Sequence, residues 1–152
     1  MLGQMADQKA NIIIGVSLIY FSMLGARIAG EGLANPHYAV PLSILSLAIF
    51  AAFFLAIIVV IPRARTQVYG DPGDMGNPLF FGSFASCPED AYARYMLERL
   101  RDDESARDLL LRDMHQIGVV LKRKYRLLKY AYGSLALGVL ITAPMLAVLA
   151  KL

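Results

Sequence analysis

Three long stretches of the chain are apolar almost without interruption, and the polar residues gather between the second and the third. The first runs from about Ala10 to Ala29, the second from about Tyr38 to Ile61, and the third from about Tyr130 to Ala150. A bilayer core about 30 Å thick needs about 20 mainly apolar residues in helix. Each stretch therefore predicts a transmembrane helix. The first carries Arg27 near one end, where a long side chain reaches the headgroups. Pro41 falls in the first turn of the second, where proline is tolerated, and Pro62 stops it. Pro144 predicts a bend near the far end of the third. A soluble domain burying three such runs would need a larger polar shell than these 152 residues supply.

The polar segment divides in two. Residues 63–88 are rich in Gly, Pro, Asn and Asp and read as an ordered loop, with the turn formers Gly70-Asp71-Pro72-Gly73-Asp74 at its centre. Asn77-Pro78-Leu79-Phe80-Phe81-Gly82 follows, and two adjacent phenylalanines predict a loop pinned onto neighbouring helices. Ser86 as N-cap, with Glu89 and Asp90 in the first turn, predicts a helix to about Arg101. A second helix starts near Asp103 and continues into the third span. Leu110, Met114, Ile117, Leu121, Tyr125 and Leu128 recur along it at spacings of four and three, a packing seam against the preceding helix or another subunit. The expected fold is all-α: an integral membrane protein with three transmembrane helices and a cytosolic helical hairpin, its last helix continuous from cytosol into membrane. Its parts are a helix pair over 1–62, cytosolic loop and helices over 63–129, and the third span over 130–152.

Charge orients this arrangement. Of 15 Lys and Arg residues, 12 lie between Arg63 and Lys129, whereas the connection from about Gly30 to His37 has none. The positive-inside rule places 63–129 and the N-terminus in the cytosol and the C-terminus outside. Tyr38, Tyr130 and Tyr132 fall at the expected interfaces. The first apolar run lacks a strongly basic start and an A-x-A-type cleavage site, and other spans follow it, so it reads as a span and not a signal peptide.

Catalytic chemistry has little to stand on. His37 and His115 fall on opposite sides of the membrane, Cys87 is alone, and no paired-histidine metal motif, phosphate loop or nucleophile elbow occurs. No enzyme activity, metal or cofactor is expected. Lys122-Arg123-Lys124, with Arg126 and Lys129, forms a basic block beside the third span. Such a block anchors to anionic lipid, or forms a phosphate-binding ring when several copies meet; Arg112 and His115 lie one or two turns away and would extend it. Small residues mark two spans. Ser134, Gly138 and Thr142 recur every four residues in the third; in the first, Gly15, Ser22 and Ala26 share a face with Asp7 and Asn11. Small faces allow close helix approach in lipid and also line narrow pores. Asp7 and Asn11 favour the pore in the first span, because a polar face is costly against lipid and tolerable beside water or another subunit.

Ala6-Asp7-Gln8-Lys9-Ala10, Asn77-Pro78-Leu79-Phe80-Phe81-Gly82 and Gly118-Val119-Val120-Leu121-Lys122-Arg123-Lys124-Tyr125 stand in order along the chain. Together they resemble the Pycsar effector transmembrane domain. The resemblance implies a bacterial inner-membrane effector of antiphage defence that answers a nucleotide signal from a partner nucleotidyltransferase or cyclase by permeabilising the membrane. It also implies a homo-oligomer, with a tetramer as the expectation. Family members usually carry a separate cyclic-nucleotide-binding domain, for which this chain has no room; it is similar in that respect to the membrane effector of the Hailong system, whose channel is held closed by a single-stranded DNA oligomer.

The expected function is thus a homo-oligomeric ion channel or pore, gated by a cyclic nucleotide or single-stranded DNA oligomer and causing depolarisation and growth arrest. Arg112, His115, Lys122, Arg123, Lys124 and Arg126 are the candidate ligand contacts. Asp7, Asn11, Gly15 and Ser22 are the candidate pore residues, and Asn77, Pro78, Phe80 and Phe81 the structural motif. The competing reading is a non-conducting scaffold that recruits a soluble partner through the apolar seam. A third is a protein that disrupts the bilayer without a defined pore.

Overall fold

A computed structural model describes residues 2–31, 36–61, 73 and 75–149. The turn formers at 70–74, apart from Gly73, and the basic residues Arg63 and Arg65 lie outside the described residues. Of the described residues 89% are helical and none is in a strand, so the architecture is a matter of which helix faces meet. The order is α1 (Leu2–Glu31), α2 (Pro36–Val60), a single-turn α3 (Phe81–Phe84), α4 (Glu89–Arg99) and α5 (Asp103–Leu149). Among the described residues three stretches are long and apolar enough to cross a membrane: Gly3–Ala29, His37–Val60 and Asp103–Leu149.

The chain forms two compact units. One comprises Met1–Ile61 and Leu121–Leu152, the other Pro62–Val120. In the first, α1, α2 and the later part of α5 share a core of Ala6, Ala10, Ile13, Ala52, Ala56, Val59, Leu128 and Ala131. Most of these are alanines, which bring helix backbones close where no hydrophobic driving force separates helix from lipid. The buried positions recur at spacings of four and three: Ala6, Ala10, Ile13 and Ser17 on α1; Ile49, Ala52, Ala56 and Val59 on α2. That rhythm keeps one narrow stripe of each helix facing its neighbours.

Polar side chains complete the contacts. The Ser134 hydroxyl on α5 donates to the Ala48 carbonyl on α2 at 2.9 Å, and Tyr20 and Ser46 bond α1 to α2 at 2.8 Å. Ser17 and Thr142 turn back onto the carbonyls four residues earlier, Ile13 and Gly138, which hides their hydroxyls inside the unit. At Gly138 α5 lies close against α2: a Cβ there would lie 2.5 Å from the Ala48 Cβ. Phe21 meets Phe50 and Phe53 edge-on, filling the α1–α2 contact beyond the alanines.

In the second unit the sequence reading needs two corrections. The expected loop over 63–88 contains a helical turn, α3, and Ser86 does not cap α4. Its hydroxyl donates to the Ser83 carbonyl in the turn closing α3, and α4 begins later, with Pro88 as its N-cap and no side-chain cap bond. Proline's fixed φ and missing N–H suit it to a helix entry. The start of α5 is capped by Asp102, whose carboxylate accepts from both the backbone N–H and the hydroxyl of Ser105. These bonds, the backbone one foremost, hold the Asp102 carboxyl below the ordinary carboxylate pKa.

The apolar seam also divides. Leu121 and Tyr125 are half-buried and Leu128 is in the hydrophobic core of the first unit. Leu110, Met114 and Ile117 stay 58%, 69% and 56% exposed. The seam's first half therefore does not pack on α4, because Leu109, Asp113 and Gln116 take the inward positions of α5 there.

Candidate functional site

At the basic end of the membrane unit the candidate residues separate by orientation. Lys122, Arg123, Arg126 and Lys129 are exposed. Lys124 is not: it stands four residues before Leu128 and seven before Ala131, on the stripe that faces the core. Its ammonium reaches the Asp7 carboxylate of α1 at 2.6 Å, with the two side chains 25% and 38% exposed. A salt bridge that close and partly withdrawn from water is screened less than a surface pair. Around it, the Lys9 ammonium lies 5.7 Å from the centre of the Tyr125 ring, and the Tyr132 hydroxyl donates to the Lys9 carbonyl at 3.3 Å. The pair that sequence reasoning divided between ligand site and pore mouth is thus one contact. Its signal was legible in the register, since Lys124 continues the Leu128–Ala131 stripe.

The other pore candidates lie on α1 away from its buried stripe. Asn11 and Ser22 are exposed, Gly15 is half-buried, and among the described residues nothing lies within 4 Å of where a Gly15 Cβ would stand. The face carrying Asp7, Asn11, Gly15 and Ser22 is therefore not covered by the protomer's own helices, apart from the Asp7 contact. The small face of the third span is covered: Ser134 and Gly138 meet α2.

In the other unit the first two residues of the motif from Asn77 to Gly82 are anchored by hydrogen bonds. Asn77 is buried, and its amide donates to Asp113 Oδ1 at 3.1 Å and Gln116 Oε1 at 2.7 Å, while its own oxygen accepts from the Leu79 N–H at 3.0 Å. Pro78 is buried, and its carbonyl accepts the Tyr92 hydroxyl at 2.9 Å. Burial pushes the Tyr92 phenol pKa up, and Phe84 stacks on the same ring at 5.2 Å. Phe80 is half-buried, its ring so close over Gly82 that a Cβ there would lie 2.6 Å away. The Phe81 side chain lies outside what is described. Sequence reasoning missed Asp113, Gln116 and Tyr92, whose partners lie too far along the chain for local spacing to reveal them.

Arg112 and His115 are exposed in this unit. Arg112 pairs with Asp108 one turn back at 2.8 Å. Both, with Asn77, Gln116 and Leu111, line an open cavity of about 490 Å³. A guanidinium, an imidazole and the NH2 of Gln116 suit an anion or a nucleobase edge, although Asp108 already offsets part of the arginine's charge and the Asn77 amide is engaged within the unit. Among the described residues no cluster of His, Cys, Asp or Glu is arranged to hold a metal.

A model of the Pycsar effector protein domain matches residues 2–151. The chain belongs to that family. Membership makes it a membrane effector domain of antiphage defence, in keeping with its apolar helices. No curated protein and no solved structure matches it.

Proposed function

We propose that the protein is a homo-oligomeric ion channel or pore whose conduction is gated by a nucleotide-derived phosphodiester made by a partner cyclase or nucleotidyltransferase. The observation that carries this reading is the uncovered polar face of α1. Asn11, Gly15 and Ser22, with Asp7 at the basic end, sit on a helix apolar enough to span the bilayer, where exposure to lipid is costly. Several copies placing this face around a common axis would hide it from lipid and give ions a polar path. The excess of basic residues supports a cytosolic ligand side, by the positive-inside rule. Lys122, Arg123 and Arg126 offer exposed charge to a phosphodiester, which flexible polyanions satisfy without sequence readout. Arg112 and His115, beside their own cavity, are the second contact region. The resemblance to the Hailong membrane effector favours single-stranded DNA as ligand; Pycsar context favours a cyclic nucleotide.

Ion flux through liposomes holding the purified protein tests this. Flux altered by short single-stranded DNA or by a cyclic mononucleotide panel supports a gated channel and names the ligand class. Absence of flux under every condition supports the second reading, a non-conducting scaffold. The exposed Leu110, Met114 and Ile117 face favours that reading, as an apolar strip able to take a soluble partner.

A further inference from the structure

We propose that the Asp7–Lys124 salt bridge is an internal competitor for the ligand, so that phosphodiester binding frees the Asp7 carboxylate at the start of α1. This rests on the reading of the protein as a nucleotide-gated channel and supplies the link from ligand to pore.

In the membrane unit the acids are Asp7 and Glu31, at opposite ends of the long helix α1. Asp7 is thus the one carboxylate of that unit near the basic block, and it has taken the block's inward-facing member, Lys124, at 2.6 Å. The block's exposed members remain available to an incoming anion. A phosphodiester drawn to Lys122, Arg123 and Arg126 meets an ammonium already neutralised from within, and full engagement of Lys124 requires Asp7 to let go. Two anions competing for one cation are coupled: a stronger internal pair weakens ligand binding, and bound ligand in turn disfavours the pair.

The geometry also says what moves. The other contacts at this end, Lys9 over the Tyr125 ring and the Tyr132 hydroxyl on the Lys9 carbonyl, do not use the Lys124 ammonium. They hold α1 against α5 while the pair opens. The released element is therefore the carboxylate, on the same open face as Asn11, and not the helix. An unpaired negative charge then stands at the proposed pore mouth in the bound state and is neutralised in the free state.

A double-mutant cycle on the full-length protein in neutral-lipid nanodiscs tests this, with fluorescently labelled oligothymidylate as the probe and unlabelled cyclic mononucleotides as displacers. Asp7→Asn removes the competitor and is expected to tighten oligothymidylate binding roughly twofold to fivefold, the range of a partly exposed ion pair. In a Lys124→Gln background the same substitution should change nothing, because the cation competed for is gone. An equal gain in both backgrounds would mean simple long-range electrostatics and overturn the proposal. The wild-type protein supplies an independent readout: carbodiimide labelling of Asp7 should rise when oligothymidylate is added, and unchanged labelling with the probe bound contradicts the mechanism. Displacement by cyclic mononucleotides assigns the ligand to that class. If neither oligothymidylate nor any cyclic mononucleotide binds the wild-type protein, both this proposal and the ligand-gated reading fail; binding with a flat cycle removes this proposal alone.

Discussion

Two helices of the membrane unit carry small residues at regular spacing, and the structure gives them opposite fates. On α5, Ser134 and Gly138 are taken up by α2: a hydroxyl bonds the Ala48 carbonyl, and the glycine admits the Ala48 methyl. On α1, Gly15 has no neighbour where a side chain would project, and Asn11 and Ser22 are exposed. The same residue type at similar spacing is a packing device in one helix and an unoccupied surface in the other. What distinguishes them is polarity at the flank. The α5 face continues through Ala131 and Leu128 to Lys124, whose charge is met by Asp7, whereas the α1 face carries the exposed Asn11, a group that lipid would penalise.

The largest effect is expected at the covered face. Gly138→Leu would drive a branched side chain into Ala48 and separate α5 from α2, costing about 1–3 kcal/mol or more by overpacking. Thermal unfolding in detergent should show a clear drop, and an unchanged midpoint would mean that the two helices do not meet there. A comparable loss is expected in the other unit from Asn77→Ala. It leaves the Leu79 N–H, Asp113 and Gln116 without their shared partner, at about 1–3 kcal/mol, and amide exchange at Leu79 should accelerate.

The three spans were legible because run length and composition decide membrane insertion whatever the tertiary contacts. The inward turn of Lys124 was not read from the sequence, which grouped it with the basic block, although its register with Leu128 and Ala131 carries the signal. Which small face is covered was not legible, since occupancy depends on a helix dozens of residues away: Ser134 and its acceptor Ala48 are 86 positions apart. Asn77 shows the same limit, with partners 36 and 39 positions away. The helix over 89–99 was visible in its acidic first turn, but its cap was misplaced, because Ser86 serves the preceding turn instead.

Smaller effects sharpen the contrast. Ser134→Ala removes one interhelical hydrogen bond whose acceptor also serves the α2 backbone, so about 0.6–1 kcal/mol is expected, measurable as a modest fall in unfolding midpoint. The Asp102 cap adds a pH signature. Its carboxyl pKa is lowered in the folded chain, so its stabilisation of the α5 start is complete above the ordinary carboxylate value and is lost as pH falls through the lowered one. Amide exchange in the first turn of α5 should rise over that acidic window, and the rise should vanish in Asp102→Asn. The smallest effect on the protomer is expected from Gly15→Leu. It meets no neighbour, so stability should move by no more than about 0.5 kcal/mol, while oligomer mass by light scattering should change if this face joins subunits.

The most direct test of the open-face reading is ion flux through proteoliposomes carrying Asn11→Leu beside the wild type, at matched protein insertion. The substitution makes an exposed position apolar and touches none of the core contacts. If α1 lines the conducting path, flux falls well below the wild type while the unfolding midpoint stays the same. Wild-type flux from the Asn11→Leu protein would place the path elsewhere and contradict the account.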